Sequence, residues 1–489
     1  MTGKKVCKID TRYHKRLSVV FNTILLFSVT LILLSTPKSM ADQQWPSLRG
    51  TPEGKASLSY TGTKVLYEWH YTHKTNRRYK PGLAVWASPA LANVGGHPMA
   101  FIGGYDQTLH ALDLVEKRAV WRKITNGEIA APPAIGVING MDIVFWGSAD
   151  RTVYAYMAFN GKRVWTTELI PPSSTLGTVH MSAPFLTKDR LFITCFAYDR
   201  SLPRNQQQGR LYCLDLMSGN VLWSLDISPG FLSSPVGYHL DGRQYIYVAA
   251  RRGILRCFDV TEPRATQVWE YQMPHEVFGS PVITDIEPSF SLLFLGSKYG
   301  NVVAINARTG KALWQKMAGN WIDNTGCVGE INGEKVVFFG SHDYRLYALQ
   351  AKTGKVIWKK ALGGEVYSAP CFFRIDGQSY VAASALDNHL YLLDGEKGEI
   401  VTSFYTGTPI WDKLIKGENL WGSSGIVEAG ENSVIVHGSF NDTVYVLPLV
   451  KECSLTAMAY SPKSLWWGLL TVFLLFCGAI LPVVLLIKK

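Results

Sequence analysis

The sequence predicts an all-β protein: an eight-bladed β-propeller with four-stranded antiparallel blades, plus a C-terminal transmembrane helix. Three observations support this prediction. A pattern of about 44 residues recurs along the chain, its short segments alternate apolar and polar residues as strands do, and 44 glycines with many aromatic residues fit short strands joined by tight turns. The length of 489 residues fits one closed ring, because a propeller grows by adding blades around a single axis.

The repeat has a recognisable order of segments. A turn with Gly or Asp is followed by a strand of the type Tyr-Ala-Leu-Asp, a Gly-Lys turn, and an apolar residue before Trp; the fullest copies are 304–314 (AINARTGKALW) and 348–358 (ALQAKTGKVIW). Two further strands precede this pattern, the first often with a Ser-Pro or Ala-Pro pair and the second ending near Gly, which gives four strands per repeat. The tyrosine position of the repeat is occupied by His110, Tyr154, Tyr212, Arg256, Val303, Tyr347, Tyr391 and Tyr445.

The last copy, 442–449, ends before its Trp, and the missing strand is found near the start of the chain. Segment 66–71 (LYEWHY) has the form of a last strand, so it is predicted to close a propeller that covers 64–450 and to remove the free sheet edges. The recurring indoles are predicted to be structural and to pack between blades. These blade-docking residues are Trp69, Trp121, Trp165, Trp223, Trp269, Trp314 and Trp358.

The chain ends are predicted to direct the protein to a membrane. A basic leader and an apolar run in 1–41 resemble a secretory signal, with an uncleaved anchor as the alternative. Residues from Leu465 to Ile487 carry no charge and are long enough to span about 30 Å of hydrocarbon. The prediction is a bacterial-type cytoplasmic membrane protein with a single pass and the propeller on the periplasmic, extracytoplasmic side. Its remaining parts are a lead segment (42–63), a juxtamembrane linker (451–464) and a cytoplasmic tail (488–489).

Charge and cysteine spacing exclude several classes of protein. The net charge is +11, but the leader contributes +6 and Lys488 with Lys489 contribute +2, so 42–464 carries 11 − 6 − 2 = +3. Nucleic acid is therefore not a predicted partner. The eight cysteines contain no C-x-x-C and no C-x-x-C-H, which argues against a zinc ribbon and a covalently bound haem.

Aligning the innermost strands on their proline gives two columns of residues that a spacing of two places on one face. The predicted funnel contains aromatic rings and carboxylates that suit stacking of a flat ring and binding of a hard cation. A polar channel lining plugged by aromatic rings is the structural alternative. Segment 319–326 (GNWIDNTG) departs most from the repeat. Its Asp323 and also Glu365 are the candidate catalytic residues; the candidate cofactor-binding set is Trp86, Glu128, Glu276, Trp321, Asp323, Tyr367, Glu365 and Trp421.

The Ala-x-Asp-x-x-Thr-Gly-Lys-x-x-Trp pattern resembles the quinoprotein-type propeller repeat. That family includes dehydrogenases that use pyrroloquinoline quinone (PQQ) with calcium, as well as non-catalytic envelope proteins. The chain lacks the adjacent cysteine pair of many quinoprotein alcohol dehydrogenases, and it is nearer in its features to the non-catalytic members. PQQ and calcium therefore remain expectations of the resemblance rather than assigned cofactors.

The predicted function is a non-catalytic scaffold for protein interaction or assembly in the cell envelope, with envelope proteins and the membrane as partners. Two alternatives stay open. One is a PQQ- and calcium-dependent dehydrogenase of an alcohol or sugar, and the other is an extracytoplasmic ligand-binding sensor.

Overall fold

The structure, a computed structural model, describes residues 63–65, 69–72, 88–170, 176–199, 201–202, 209–227, 233–375, 377–405, 424–429, 432–439 and 443–451. Their regular structure consists of antiparallel strands and one short 3₁₀ turn (Lys298–Gly300). The strands near the N-terminus are β1 (Thr63–Val65) and β2 (Trp69–Thr72). Seven blades follow, and each is an antiparallel sheet of strands that are consecutive in the chain.

The blades have the following strands. Blade 1 has β3 (Ala90–Val94), β4 (His97–Gly103), β5 (Thr108–Asp113) and β6 (Arg118–Ile124); blade 2 has β7 (Ala134–Ile138), β8 (Met141–Gly147), β9 (Thr152–Met157) and β10 (Arg163–Glu168). Blade 3 has β11 (Leu176–Met181), β12 (Phe185–Leu186), β13 (Arg190–Asp199), β14 (Gly209–Asp215) and β15 (Val221–Ile227); blade 4 has β16 (Val236–Leu240), β17 (Arg243–Ala250), β18 (Ile254–Asp259) and β19 (Thr266–Gln272). Blade 5 has β20 (Val282–Glu287), β21 (Phe290–Gly296), β22 (Asn301–Asn306) and β23 (Ala312–Met317); blade 6 has β24 (Cys327–Ile331), β25 (Glu334–Ser341), β26 (Arg345–Gln350) and β27 (Val356–Ala361). Blade 7 has β28 (Cys371–Ile375), β29 (Gln378–Ser384), β30 (His389–Asp394) and β31 (Ile400–Tyr405); the C-terminal strands are β32 (Gly425–Ala429), β33 (Asn432–Ser439) and β34 (Thr443–Lys451).

The structure corrects the predicted fold class. The prediction of an eight-bladed propeller with four-stranded blades is wrong, because seven blades are formed by consecutive strands and the remaining sheet is a five-stranded composite of strands from near both ends of the chain. In this closing sheet β34 pairs with β33 on one edge and with β1 and β2 on the other, and Trp69 is opposite Val446 in the backbone register. Blade 3 also has five strands, because Pro184 lies between β11 and β12, where it interrupts the ladder.

A second correction concerns the membrane. Among the residues that the structure describes, no helix is long and apolar enough to cross a bilayer, so the prediction of a C-terminal transmembrane helix and a single-pass membrane location is wrong for this part of the chain. The predicted span 465–487 and leader 1–41 lie outside the described residues.

The hydrophobic core lies between neighbouring sheets. Blades 6 and 7, for example, share a cluster in which Phe338 stacks on Phe372 with ring centroids 5.5 Å apart. The closing sheet packs on both of its neighbours: Val436 belongs to the cluster shared with blade 1, and the adjacent Ile435 belongs to the one shared with blade 7. Because successive residues of a strand point to opposite faces, one short strand contacts both neighbours and the ring is closed.

The repeated indoles join each blade to the next. Five of them donate Nε1–H to a backbone carbonyl of the following blade at 2.8–3.0 Å. Each ring also lies against a glycine in a turn of that blade, whose φ is positive and on which a Cβ would come within 2.5–2.8 Å of the ring. The pairs are Trp121 with Gly161, Trp165 with Gly219, Trp269 with Gly310, Trp314 with Gly354, and Trp358 with Gly398. The glycine in this turn of the repeat is therefore explained by the indole that packs against it.

Trp223 is an exception among these indoles. Its Nε1 is buried and has no hydrogen-bond partner in the described structure. The receiving turn of blade 4, residues 260–265, contains no glycine, and the carbonyl of Val260 accepts a 2.7 Å hydrogen bond from Arg190. An arginine of blade 3 thus makes the interblade hydrogen bond that Trp223 does not make.

This difference predicts unequal effects of the same substitution. Trp165→Phe removes the hydrogen bond to the carbonyl of Leu216 and should lower the free energy of unfolding by about 1–3 kcal/mol. Trp223→Phe removes an unsatisfied N–H and should have a distinctly smaller effect, measured by urea denaturation of both variants. Equal losses at the two positions would contradict this account of blade docking.

Candidate functional site

The candidate site residues lie in the segments that connect one blade to the next. We refer to residues 273–281, 318–326 and 362–370 as connections 4–5, 5–6 and 6–7. Each connection precedes the first strand of a blade rather than forming it, which differs from the expectation that the two columns lie on the innermost strands. The first strands of neighbouring blades contact one another, so the connections enter the ring near its axis.

Burial alternates along the connections. Val277, Ile322 and Val366 are buried in the cores between blades, while residues on either side of them face the opposite way. The spacing of two therefore keeps the paired column residues on one side. Side chains from three connections and three hairpins come together here, and we call them the central cluster: Arg251, Glu276, Phe278, Lys298, Trp321, Asp323, His342, Glu365 and Tyr367.

Connection 5–6 is held in place by an Asp–Tyr pair of blade 6. The hydroxyl of Tyr347 donates to Asp343 Oδ2, and the backbone N–H of Gly319 donates to the same oxygen at 3.1 Å. A Cβ on Gly319 would lie 2.4 Å from that carboxylate, so the close approach requires glycine. Blade 7 repeats the arrangement, with Gly363 N–H donating to the Tyr391 hydroxyl at 3.2 Å.

Asn324 ties the next connection to this one. Its Nδ2 donates to the carbonyl of Gly340 in β25 at 2.9 Å and to that of Val366 at 3.0 Å. Val366 lies between Glu365 and Tyr367, so one amide fixes the relative position of Asp323 and these two residues. The departure of 319–326 from the repeat is therefore structural as well as chemical.

A row of aromatic side chains in contact with one another runs along this part of the propeller. His275 and Tyr299 meet edge to face at 4.8 Å between centroids, and Tyr299 meets Trp321 at 6.4 Å. Trp321 then lies 5.8 Å from His342, which lies 3.9 Å from Tyr367. Because connections and hairpins alternate in this row, the aromatic arc extends across three blades.

Two aromatic side chains of the central cluster, Phe278 and Trp321, each have a cationic side chain of this protein over one face. The Arg251 guanidinium lies 4.8 Å from the centroid of Phe278, and Lys298 Nζ lies 4.4 Å from the centroid of Trp321. Lys298 Nζ is also 3.4 Å from Glu276 Oε2. The cluster therefore combines cation–π contacts with a carboxylate partner.

Asp323 is the most strongly buried acid of the cluster. Its side chain is 2% exposed, and neither carboxylate oxygen has a hydrogen-bond partner among the described residues. Burial raises the pKa of Asp323 to about 6; Lys298 and Arg251 oppose this rise, and Glu365 and Glu276 add to it. The carboxylate is charged at neutral pH although it lacks hydrogen bonds.

His342 is the nearest polar neighbour of Asp323. Its Nε2 lies 3.4 Å from Asp323 Oδ2, but the geometry forms no hydrogen bond and Nε2 is also without a partner in the described structure. Burial lowers the pKa of His342 to about 4, so the imidazole is neutral at pH 7. Burial and the adjacent Glu365, which accepts a hydrogen bond from the hydroxyl, raise the pKa of Tyr367.

The structure brings five of the predicted site residues together, namely Glu276, Trp321, Asp323, Glu365 and Tyr367. Glu128 lies in the connection between blades 1 and 2, where its carbonyl accepts from Ala149 N–H, and Trp86 and Trp421 lie outside the described residues. The sequence-based set omits Arg251, Lys298 and His342. Their signal is the repeat itself, because each stands five residues before the tyrosine position, at Arg256, Val303 and Tyr347.

The residues fit a bound quinone poorly and a hard cation better. The oxygens of Asp323 and Asn324 Oδ1 lack hydrogen-bond partners in the described structure and are the ligand type that calcium prefers. Lys298, however, covers the face of Trp321 on which a flat cofactor would stack.

Elsewhere, His97, Asp113 and Glu116 of blade 1 place ligand atoms within 4.8 Å of one another, and His97 Nδ1 is hydrogen-bonded to Asp113 Oδ2 at 2.9 Å.

Comparison with known proteins identifies the family. The family model described as "Outer membrane protein assembly factor BamB" matches residues 149–324 and 321–446, which together span more than half of the chain. The chain belongs to this family. Its PQQ-like propeller repeat is thus shown, as the resemblance implied. No curated protein sequence matches this chain significantly.

Solved structures share the fold at low sequence identity. BamB from Moraxella catarrhalis has a TM-score of 0.52 at 13% identity, covering 78% of this chain and 97% of that one. Quinohemoprotein alcohol dehydrogenase from Comamonas testosteroni has a TM-score of 0.61 at 12% identity, covering 81% and 78%. A europium-containing methanol dehydrogenase has a TM-score of 0.58 at 12% identity, covering 81% and 96%. At these identities the likeness establishes the propeller fold alone.

The pKa shifts of Asp323 and His342 predict opposite pH dependences. The folded pKa of Asp323 is above its ordinary value of 3.8, so its ionisation destabilises the protein as pH rises from about 4 to 6. The folded pKa of His342 is below 6.5, so its protonation destabilises the protein as pH falls from 6.5 to about 4. The stability gained by Asp323→Asn should therefore grow with rising pH, by about 3 kcal/mol at most, and that gained by His342→Gln should grow with falling pH.

Urea denaturation at pH 4.5 and pH 7 checks both trends. The buried His437, whose pKa is also lowered to about 4, is present in every variant and cancels in the differences. The same pH trend in both variants would contradict the charge states assigned to the cluster.

Proposed function

We propose that this propeller is a non-catalytic scaffold that binds envelope proteins during their assembly. The family model that matches the chain is described as an outer membrane protein assembly factor, and this supports an assembly function. The observation that favours protein binding most directly is a repeated bulge on the outer rim of the blades.

In all seven blades the register between the last two strands shifts at one residue, which is the residue before the repeated Trp or, in blade 7, before Thr402. A bulge leaves its extra residue unpaired and redirects its side chain. In blades 3 to 7 this residue is apolar and 40–50% exposed. We call these five the rim residues: Leu222, Val268, Leu313, Ile357 and Val401.

The rim residues recur at equivalent places on five neighbouring blades, so they form a regular series of exposed apolar side chains. Single exposed apolar residues need no explanation, but a series in adjacent repeats is typical of a protein-binding surface. The bulge also disrupts the free edge of each sheet, which disfavours addition of a partner strand at that point. A partner that contacts several blades through apolar side chains fits this rim.

A double variant tests the rim. Leu313→Lys with Ile357→Lys places two charges on neighbouring blades and should reduce recovery of cross-linked partners from cells about tenfold, since loss of about 1.4 kcal/mol of binding free energy has that effect. Mass spectrometry after in-cell cross-linking identifies and quantifies the partners. Because both side chains are exposed, stability should change little.

The matched control is Lys311→Ser with Lys355→Ser, two exposed residues at the same ends of the same blades. It should leave recovery unchanged. Absence of any stable partner for the unmodified chain, or equal recovery with both double variants, would count against the scaffold.

Catalysis is tested separately. The full-length protein incubated with PQQ and calcium should not reduce an electron-accepting dye with alcohols or aldoses. Dye reduction that disappears in Asp323→Ala or Glu365→Ala would replace the scaffold with the dehydrogenase alternative.

A further inference from the structure

In blades 4 to 6 the residue five positions before the tyrosine position of the repeat lies over a ring of the following connection. In blade 4 this residue is Arg251, over Phe278, and in blade 5 it is Lys298, over Trp321. In blade 6 the equivalent residue is His342, over Tyr367 at 3.9 Å between centroids. Two consecutive blades therefore use a permanent cation where the third uses an imidazole.

Carboxylates lie beside this position in blade 6 as well as in blade 5, although blade 6 has a histidine in place of the lysine. Lys298 has a carboxylate partner in Glu276, whereas the pocket of blade 6 contains Asp323 and Glu365, and neither forms an ion pair with a described Lys or Arg. Since burial keeps His342 neutral at pH 7, it does not supply the missing charge. Lys298 and Arg251 act on Asp323 from a distance, but among the described residues neither Asp323 nor Glu365 has a Lys or Arg as a direct partner.

Asp323 gives independent evidence that a group is missing. A buried carboxylate ordinarily accepts several hydrogen bonds, and leaving it without them is costly. Both Asp323 oxygens and the Oδ1 of Asn324 are acceptors without a partner in the described structure. A group with several N–H donors and a positive charge satisfies these oxygens and can also lie against an aromatic ring.

We propose that the pocket formed by Asp323, His342, Glu365 and Tyr367 binds a guanidinium or ammonium side chain of a protein partner beside His342, and that this group supplies the positive charge that Arg251 and Lys298 supply in the preceding blades. This inference rests on the proposed scaffold function and names the chemistry of the partner. Carboxylates and rings give the cation a site near the axis, distinct from the rim residues.

Calorimetric titration of the full-length protein tests the pocket. The probes are N-acetyl-L-arginine amide and N-acetyl-L-lysine amide, with N-acetyl-L-citrulline amide as the neutral analogue of similar shape. At least one cationic probe should bind at least tenfold more tightly than the citrulline amide at pH 7.5. Binding should weaken at pH 5, where Asp323 is largely protonated; the other charged or titratable groups that face it are Arg251, Lys298, Glu276, Glu365 and His342.

Two variants separate binding from folding. Asp323→Asn keeps the shape and should lower the affinity at least tenfold. His342→Lys gives blade 6 the cation of its neighbours, and it should abolish probe binding while raising Tm. A variant that folds normally and binds the probe unchanged would overturn the proposal.

Further outcomes separate this inference from the scaffold function. Binding of calcium with no response to either cationic probe would reassign the pocket to a metal and refute the cationic side chain. Loss of partners in the rim variant without any probe binding would leave the scaffold standing and overturn this pocket alone.

Discussion

Packing of an indole against a glycine of the next blade is the interaction on which the rest of the molecule depends. Each blade is a small sheet that cannot bury both of its faces alone, so it is stable only between two neighbours. The indole adds a directional hydrogen bond to this apolar contact, and the glycine sets how closely the blades approach. Where the glycine is missing, at blade 4, Arg190 makes a different bond and the ring still closes.

The same repetition explains how the ring can contain a specialised site. Connections 4–5, 5–6 and 6–7 are each held by a backbone hydrogen bond to a hairpin, in which the N–H groups of Lys298, His342 and Leu386 donate to the carbonyls of Glu276, Trp321 and Glu365. The side chains on either side of these bonds can therefore change without changing the backbone. Connection 5–6 makes use of this freedom, and Asn324 compensates for its lost Ser-Pro pair by bonding to two carbonyls.

The sequence predicted the strands and the indole positions because both follow from local periodicity. It also predicted that 66–71 joins the last copy of the repeat, and β2 pairs with β34 there. It did not predict that β1 pairs with the same strand and makes this sheet five-stranded, because no local pattern specifies a register between segments almost four hundred residues apart. Alignment on the proline selected five residues that the structure brings together in the central cluster: Glu276, Trp321, Asp323, Glu365 and Tyr367. It missed Arg251, Lys298 and His342, because these residues belong to hairpins that meet the connections only when the ring closes.

The charge of the central cluster differs between blades at one repeat position, which holds Arg251 in blade 4, Lys298 in blade 5 and His342 in blade 6. Exchange of Arg or Lys for His at one repeat position removes a cation while the neighbouring carboxylates remain, and burial then keeps the imidazole neutral. The resulting cost at Asp323 is opposite in its pH dependence to the cost at His342, so the two largely offset each other between pH 4 and 6.5. The ring tolerates the unbalanced pocket because its stability comes from the blade contacts, which leaves these side chains available to recognise a ligand.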